Sequence, residues 1–318
     1  MNRLPIADPF VRSSAREQKQ RYFDIVSIVV THNRKKLLLN CLELLIKQTL
    51  GTDILVIDNA STDGTEKTLK ITGIIDDKRI HYVYLDKNTG GAGGFYHGLR
   101  YAFEKGWKWF WLMDDDAEPM HNALEEIFRS AKDRHHIYGS AAVSNTDGGC
   151  MLCFPTKIIS PSKIEIVEKY EDLSTVDQVA WLPFLGLLVN RSIIEKIGFP
   201  DKTLFIRNDD IEYAEKAKRK GIKSYLVKKS VIQHPFQPTI HITLFGRRLY
   251  YRSMPSWKMY YEVRNKIIIA KRYYSLFSGL KSFAGASLQI FLSIFIEKEK
   301  KAYLKSYIHG IVDGMMSV

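Results

Sequence analysis

Four short apolar runs, each closed by a polar loop and separated by helical stretches, constrain this chain more than any other feature. Asp24-Ile25-Val26-Ser27-Ile28-Val29-Val30 opens the series. Asp53-Ile54-Leu55-Val56-Ile57-Asp58, Ile80 to Leu85 and Trp109-Phe110-Trp111-Leu112-Met113 repeat it. Runs of this length without polar alternation are strands buried on both faces, as in a parallel sheet covered by helices. Between them Leu38, Leu42, Leu45 and Ile46 recur at helical spacing within Lys35 to Thr49. Asn59 to Thr65 is a turn of capping residues that opens another helix. Asn88-Thr89-Gly90-Gly91-Ala92-Gly93-Gly94 reads as a glycine-rich loop before a helix from about Phe95 to Lys105. The alternation predicts an α/β domain with a Rossmann-like, mostly parallel central sheet flanked by helices. In such sheets ligands bind beyond the carboxyl ends of the strands, so these polar loops gather on one edge.

The fourth run ends in Asp114-Asp115-Asp116. Three carboxylates behind a buried strand need solvent or a cation, and clustered oxygen ligands suit Mg²⁺ or Mn²⁺. The plainer alternative is a solvated turn before a helix whose dipole favours acids. The glycine loop matches neither GxGxxG nor the P-loop, so its pattern alone names no ligand.

The second half is less regular. Val179 to Val189 is apolar, and Trp181 and Gly186 within it are either core or pocket floor. Phe205 to Tyr213 carries Asp209 and Asp210 into a helix expected over Ala214 to Lys220; strands are expected at Ile222 to Val227 and around Val231 to His234. From Trp257 onward the pattern is helical, with aromatic and basic residues interleaved.

The formal charge of +12 is uneven: Lys216 to Gly310 holds 20 Lys/Arg against Glu262, Glu297 and Glu299. A basic, aromatic last third on a near-neutral body suits an anionic lipid surface or an anionic substrate, or is a solvated face. Cys41, Cys150 and Cys153 make no zinc pattern and read as reduced thiols. The N-terminus lacks a signal-peptide run, and no apolar stretch approaches the roughly 20 residues that span a bilayer. The expected division is an arm over 1–23, a catalytic domain over 24–240 and a basic helical region over 241–318.

These motifs together resemble family 2 glycosyltransferases of the GT-A fold, and most closely their bacterial galactofuranosyltransferase branch. The matching points are Val29 to Arg34, Val56 to Thr65, Asn88 with Gly90 to Phe95, Met113 to Ala117, Phe205 to Tyr213, His234, and Trp257 to Asn265. The resemblance implies that Thr31, Asn33, Arg34, Asp58 and Asn59 hold the uridine part of a UDP-sugar, with Asn88, Gly90 and Gly91 beside it. It implies Asp114, Asp116 and His234 as ligands of Mn²⁺ or Mg²⁺, and Asp115 against ribose or sugar. Asp210 is then the catalytic base, with Asp209 binding acceptor or serving as the alternative base. Trp181, Trp257, Tyr261 and Arg264 are implied around acceptor and diphosphate.

Such an enzyme would invert the anomeric carbon while moving a sugar, galactofuranose from UDP-Galf in this reading, onto a lipid-linked oligosaccharide. The short N-terminal arm and C-terminal region point to one or a few additions rather than a polymer. A cytoplasmic chain held peripherally at the inner face of the plasma membrane is expected. The nearest rival is a rhamnosyl- or pyranosyltransferase using a dTDP- or UDP-sugar. A non-catalytic nucleotide- or nucleic-acid-binding protein is a distant one, because acids at three strand ends repel phosphate unless a metal intervenes. Nucleic acid is therefore not an expected partner, and homo-oligomerisation stays open.

Overall fold

The computed structural model describes residues 24–144, 156–160, 163–167, 169–235, 239–244, 247–274 and 296–317. Cys150, Cys153 and the arm over 1–23 lie outside them. In chain order the first half comprises β1 (Ile25–Thr31), α1 (Lys35–Ile46), β2 (Asp53–Asp58), α2 (Thr65–Ile71), β3 (Ile80–Tyr84), α3 (Gly90–Lys105), β4 (Trp109–Asp114), β5 (Glu118–Pro119) and α4 (Ala123–Ser130). There follow β6 (Ile137–Ser144), β7 (Thr156–Ser160), β8 (Lys163–Ile166), β9 (Val176–Val179), β10 (Leu187–Asn190), α5 (Arg191–Ile197), α6 (Asp209–Arg219) and β11 (Ser224–His234). The last elements are β12 (Thr239–Leu244), β13 (Arg247–Arg252), α7 (Ser256–Tyr273) and α8 (Lys300–Met316).

The main sheet runs β3-β2-β1-β4-β10-β6-β11-β9-β7-β8, with β5 added against the end of β11. β3, β2, β1 and β4 are parallel; β1, β2 and β4 are buried on both faces, whereas β3 is the partly exposed edge, and β10 enters antiparallel to β4, so the whole sheet is mixed. Alternate residues sort onto two faces. Val26, Ile28, Val30, Phe110 and Leu112 pack with Phe95, Leu99 and Ala102 of α3 and Tyr213 of α6. Ile25, Val29, Trp111 and Met113 pack with Leu38, Leu42 and Leu45 of α1 and Leu124 and Ile127 of α4. Filling both faces of the central strands with fully buried side chains fixes the register.

Four differences from the sequence expectations matter. The glycine loop is the first turn of α3, which begins at Gly90 rather than near Phe95. Gly90 has φ +71°, and a Cβ there would stand 2.0 Å from the Phe205 carbonyl oxygen; one on Gly94 would stand 2.3 Å from Val30 Cγ1. These glycines let backbone meet backbone and helix meet sheet. α6 begins at Asp209 rather than Ala214, because Asp209, Asp210 and Glu212 suit the positive end of a helix. The two expected strands around residue 230 are one, β11, whose register with β6 shifts between Val227 and Val231. Finally, β12 and β13 form an antiparallel pair ahead of the helices, overlapping the start of the basic region expected over 241–318.

Candidate active site

Parallel register brings the strand ends together. Thr31 lies opposite Asp58, and Val30 opposite Asp114. Thr31 donates its hydroxyl to Asp115 Oδ2 at 2.7 Å, and Arg34 at the head of α1 reaches Asp115 Oδ1 at 3.2 Å and Asp116 Oδ2 at 2.7 Å. The short strand β5 then pairs Glu118 with Gln233 of β11. That pairing sets His234 Nε2 3.1 Å from Asp116 Oδ1. Asp116 Oδ1 is nevertheless buried without an aligned hydrogen bond. Nδ1 of His234 lies 2.9 Å from the Pro235 carbonyl. If Nδ1 carries the proton and donates there, Nε2 and the carboxylate oxygen face each other as lone pairs. Such a contact calls for a proton or a cation between them, so the donor set of Asp116 and His234 fits a divalent metal. No three His, Cys, Asp or Glu side chains converge as a finished cage among the described residues. Burial and the charges of Asp116 and Asp115 push Asp114 well up. Burial pushes Asp115 up as well, against the pull of Thr31 and Arg34.

Around this edge the expected nucleotide residues form a connected network. Asn33, at φ +55°, accepts through Oδ1 from the backbone amides of Thr62 at 2.7 Å and Asp63 at 3.2 Å. Asp58 is buried, accepting from the Ser61 amide at 2.7 Å and the Tyr82 hydroxyl at 2.5 Å. Asn59 spans to α3. Its Oδ1 accepts from the Thr89 amide at 2.8 Å and its Nδ2 donates to the Gly90 carbonyl at 2.8 Å. Asn88 caps the same turn by accepting from the Gly90 amide at 2.8 Å. Gly91 has open space where its Cβ would be. Trp181 is half-buried in the segment that leads into β10. Because β10 runs antiparallel to β4, that segment enters from the edge carrying Asp114.

The opposite wall is a strained loop. Phe205, Arg207 and Asn208 have φ of +65°, +72° and +62°, and deliver Asp209 and Asp210 as the first residues of α6. Three non-glycine residues at positive φ within four positions persist only if the surroundings hold them. α7 does so. Asn265 is fully buried, and its Nδ2 donates to the carbonyls of Leu204 at 3.0 Å, Ile206 at 3.0 Å and Arg207 at 2.7 Å. Glu262 accepts from Arg207 Nε at 2.8 Å and pairs with Lys266 Nζ at 2.7 Å. Tyr261 stacks on Phe205, with centroids 4.8 Å apart. Arg264, expected around acceptor and diphosphate, donates to the Thr203 carbonyl at 2.8 Å and the Leu204 carbonyl at 3.0 Å. Burial and the charge of Asp210 push Asp209 up, and burial does the same to Asp210 despite Arg207. The Phe205 carbonyl accepts from the Ala92 amide at 3.0 Å, which seats this loop on the start of α3 beside the strand edge, and from there the charge of Asp209 acts on Asp114.

The family profile of Glycosyl transferase family 2 matches residues 27–151. Galactofuranosyltransferase GlfT1 of Mycobacterium tuberculosis is 30% identical over 217 residues, covering 66% of this chain and 70% of that protein. This chain belongs to glycosyl transferase family 2. It spans about two thirds of the length of the galactofuranosyltransferases it matches. The dTDP-rhamnosyl transferase RfbF of Shigella flexneri is 22% identical over 298 residues, covering 93% of this chain and 96% of that protein. Among solved structures, GalNAc-T7 with UDP, GalNAc and Mn²⁺ superposes with a TM-score of 0.56 at 15% identity, covering 78% of this chain and 48% of that one. The fold is GT-A.

In this glycosyltransferase the structure gives roles to four residues to which the sequence motifs assigned none. Arg207, Glu262 and Asn265 form the clamp just described. Lys258 lies one helical turn before Glu262, on the same face of α7. It is half-buried and has no carboxylate in ion-pair reach among the described residues. Burial and the charges of Arg34 and Arg207 push its pKa down, while Asp114 and Asp116 pull it up. Its ammonium lies 5.5 Å from the centroid of the Trp257 ring, within reach of the charges of Asp114 and Asp116. Its signal in the sequence was the four-residue spacing of Lys258, Glu262 and Lys266, legible once α7 is known to lie over the site.

Proposed function

We propose that this glycosyltransferase inverts the anomeric centre of a nucleotide-sugar donor, with a divalent cation, and moves the sugar to a hydroxyl of a lipid-linked oligosaccharide. UDP-galactofuranose is the proposed donor and bacterial surface polysaccharide the proposed product class. The observation that carries this reading is a pair of aspartates at the start of α6, beside a strand edge that gathers three more carboxylates with His234. Asp210 serves as base, since burial holds its proton affinity nearer that of the working solution, and Asp209 is the alternative. Asp116 and His234 would hold Mn²⁺ or Mg²⁺, with Asp114 beside them. Bound there, such an ion neutralises charge that develops on the leaving diphosphate. Lys258 and Arg34 supply positive charge from the protein, and Asp115 is positioned by Thr31 and Arg34 against ribose or sugar.

Support for the galactofuranosyl donor is the 30% identity to GlfT1. The near full-length likeness to RfbF favours a second reading, rhamnosyl transfer from a dTDP-sugar. The excess of Lys and Arg between Lys216 and Gly310 supports peripheral attachment to the anionic inner face of the plasma membrane. No helix among the described residues is long and apolar enough to cross a membrane. The deciding experiment is a panel of UDP- and dTDP-sugars with Mn²⁺ present or chelated, read as nucleotide release. UDP-Galf should be turned over only with the metal. Preference for dTDP-rhamnose would install the second reading, and metal-independent turnover would remove the cation.

A further inference from the structure

Beside the strained loop lies a concavity of about 510 Å³ that α8 helps to enclose. Asn88 and Phe205 wall it from the catalytic body, Trp257 and Tyr261 from α7, and Ser306 and His309 from α8. α8 is seated by Gly310, where a Cβ would stand 2.8 Å from the Tyr260 carbonyl oxygen. The Phe205 and Tyr261 rings stack within 21° of parallel, and Trp257 stands edge-on to Tyr261 while remaining 50% exposed. Phe205 and Tyr261 cover each other, which leaves the exposed Trp257 as the aromatic surface for the C–H-rich face of a sugar ring. The polar lining completes the match: Ser306, His309 and the unspent amide N–H groups of Asn88 can pair with hydroxyls, and Lys305 stands at the rim. Phe205 is shared. One side of it forms this wall, while its backbone, bonded to Ala92 N–H at 3.0 Å, leads four residues on to Asp209.

We propose that this concavity is a subsite for the acceptor's second sugar ring, the one behind the hydroxyl that receives the transferred residue, and that α8 completes it. The proposal rests on the assignment of the Asp209–Asp210 edge to sugar transfer. It adds a function for the last helix: measuring acceptor length. A ring stacked on the half-exposed Trp257 would hold the preceding hydroxyl near the loop that carries the base. A monosaccharide would lack that hold.

The test uses the full chain with MnCl₂ and UDP, and compares an octyl β-galactofuranosyl disaccharide with its monosaccharide counterpart by ligand-observed NMR. Wild type should bind the disaccharide roughly tenfold more tightly, the gain of about one stacked ring or a pair of hydrogen bonds. Ser306→Trp, which fills the concavity, and His309→Ala, which removes a polar partner, should each erase most of that preference. UDP affinity, followed by calorimetry on the same samples, should stay within twofold and reports that both variants are folded. A disaccharide preference that survives both substitutions would overturn the proposal, as would its absence from wild type. So would a loss of UDP affinity in Ser306→Trp, which would make the concavity part of the donor site. A wild-type protein that ignores UDP altogether would remove the donor assignment, and this proposal with it.

Discussion

Arginine meets carboxylate on both walls of the cleft, with opposite consequences. On one wall Arg34 serves Asp115 and Asp116, and with His234 it faces three carboxylates. On the other, Arg207 and Lys266 both serve the single carboxylate of Glu262. Glu262 is taken out of water, which alone would raise its pKa, yet Lys266 and Arg207 outweigh burial and hold it at about 2. Asp115, similarly buried, is pushed up to about 6 because Thr31 and Arg34 do not offset its desolvation. A balanced cluster is structural: it needs nothing from outside. An unbalanced one leaves charge to be met by something that binds, which is what a site for a cation and a diphosphate requires.

The largest expected effect lies where the two walls meet. Asp210→Asn should lower the transfer rate by about 10³-fold, within the usual span for loss of a general base. UDP and Mn²⁺ affinities, measured by calorimetry, should hardly change. Because burial raises the Asp210 carboxyl, wild-type kcat/KM should decline on acidification through a limb lying above pH 4, where an ordinary aspartate would titrate. Normal turnover by the variant would move the base to Asp209. That would place the base on the residue whose charge acts on Asp114.

Next comes the clamp. Glu262→Gln strands Arg207 and Lys266 and should cost on the order of 3 kcal/mol at pH 7, visible in a urea melt. The sign with pH follows from a depressed carboxyl. Its contribution is complete above the unfolded value of about 4.3 and is lost as pH falls toward 2. The wild-type and variant melts should therefore converge on acidification. A variant of unchanged stability that instead loses UDP affinity would show the clamp to be a ligand site, and the contrast between the walls would fail.

The two walls also differ in how far they could be read from residues alone. β1, β2 and β4 were legible because strands buried on both faces carry unbroken β-branched and aromatic runs, and the acids behind them had to share one edge. The start of α3 was not. Gly90 is glycine because of the Phe205 carbonyl, a contact more than a hundred positions away in the chain. β11 read as two strands because Lys228, Lys229 and Ser230 interrupt it at an irregular register. The pairing of His234 with Asp116 depends on β5 against β11, a two-residue bridge with no local signature, and only the family resemblance pointed to it. The strained loop was illegible in principle, since nothing in Phe205 or Arg207 announces positive φ. Its cause lies in Asn265, half a helix away in another element.

The smallest effect sharpens the contrast most. Lys258 shares a helix with the clamp yet belongs to the other wall in charge: it pairs with no acid among the described residues, and Asp114 and Asp116 act on it across the cleft. If it is held for the diphosphate, its removal should discriminate between nucleotides by phosphate number. Lys258→Met should weaken UDP about tenfold and UMP by no more than twofold, and the UDP loss should shrink at high salt, where charge is screened. Lys258→Arg should recover most of the UDP affinity. The urea midpoint should not move, since no buried acid is left unpaired. Equal losses for UDP and UMP would mean that Lys258 shapes the base or ribose site, and no loss at all would make it a solvated lysine whose position is incidental. Either result would return the task of balancing the aspartate edge to Arg34 and the cation.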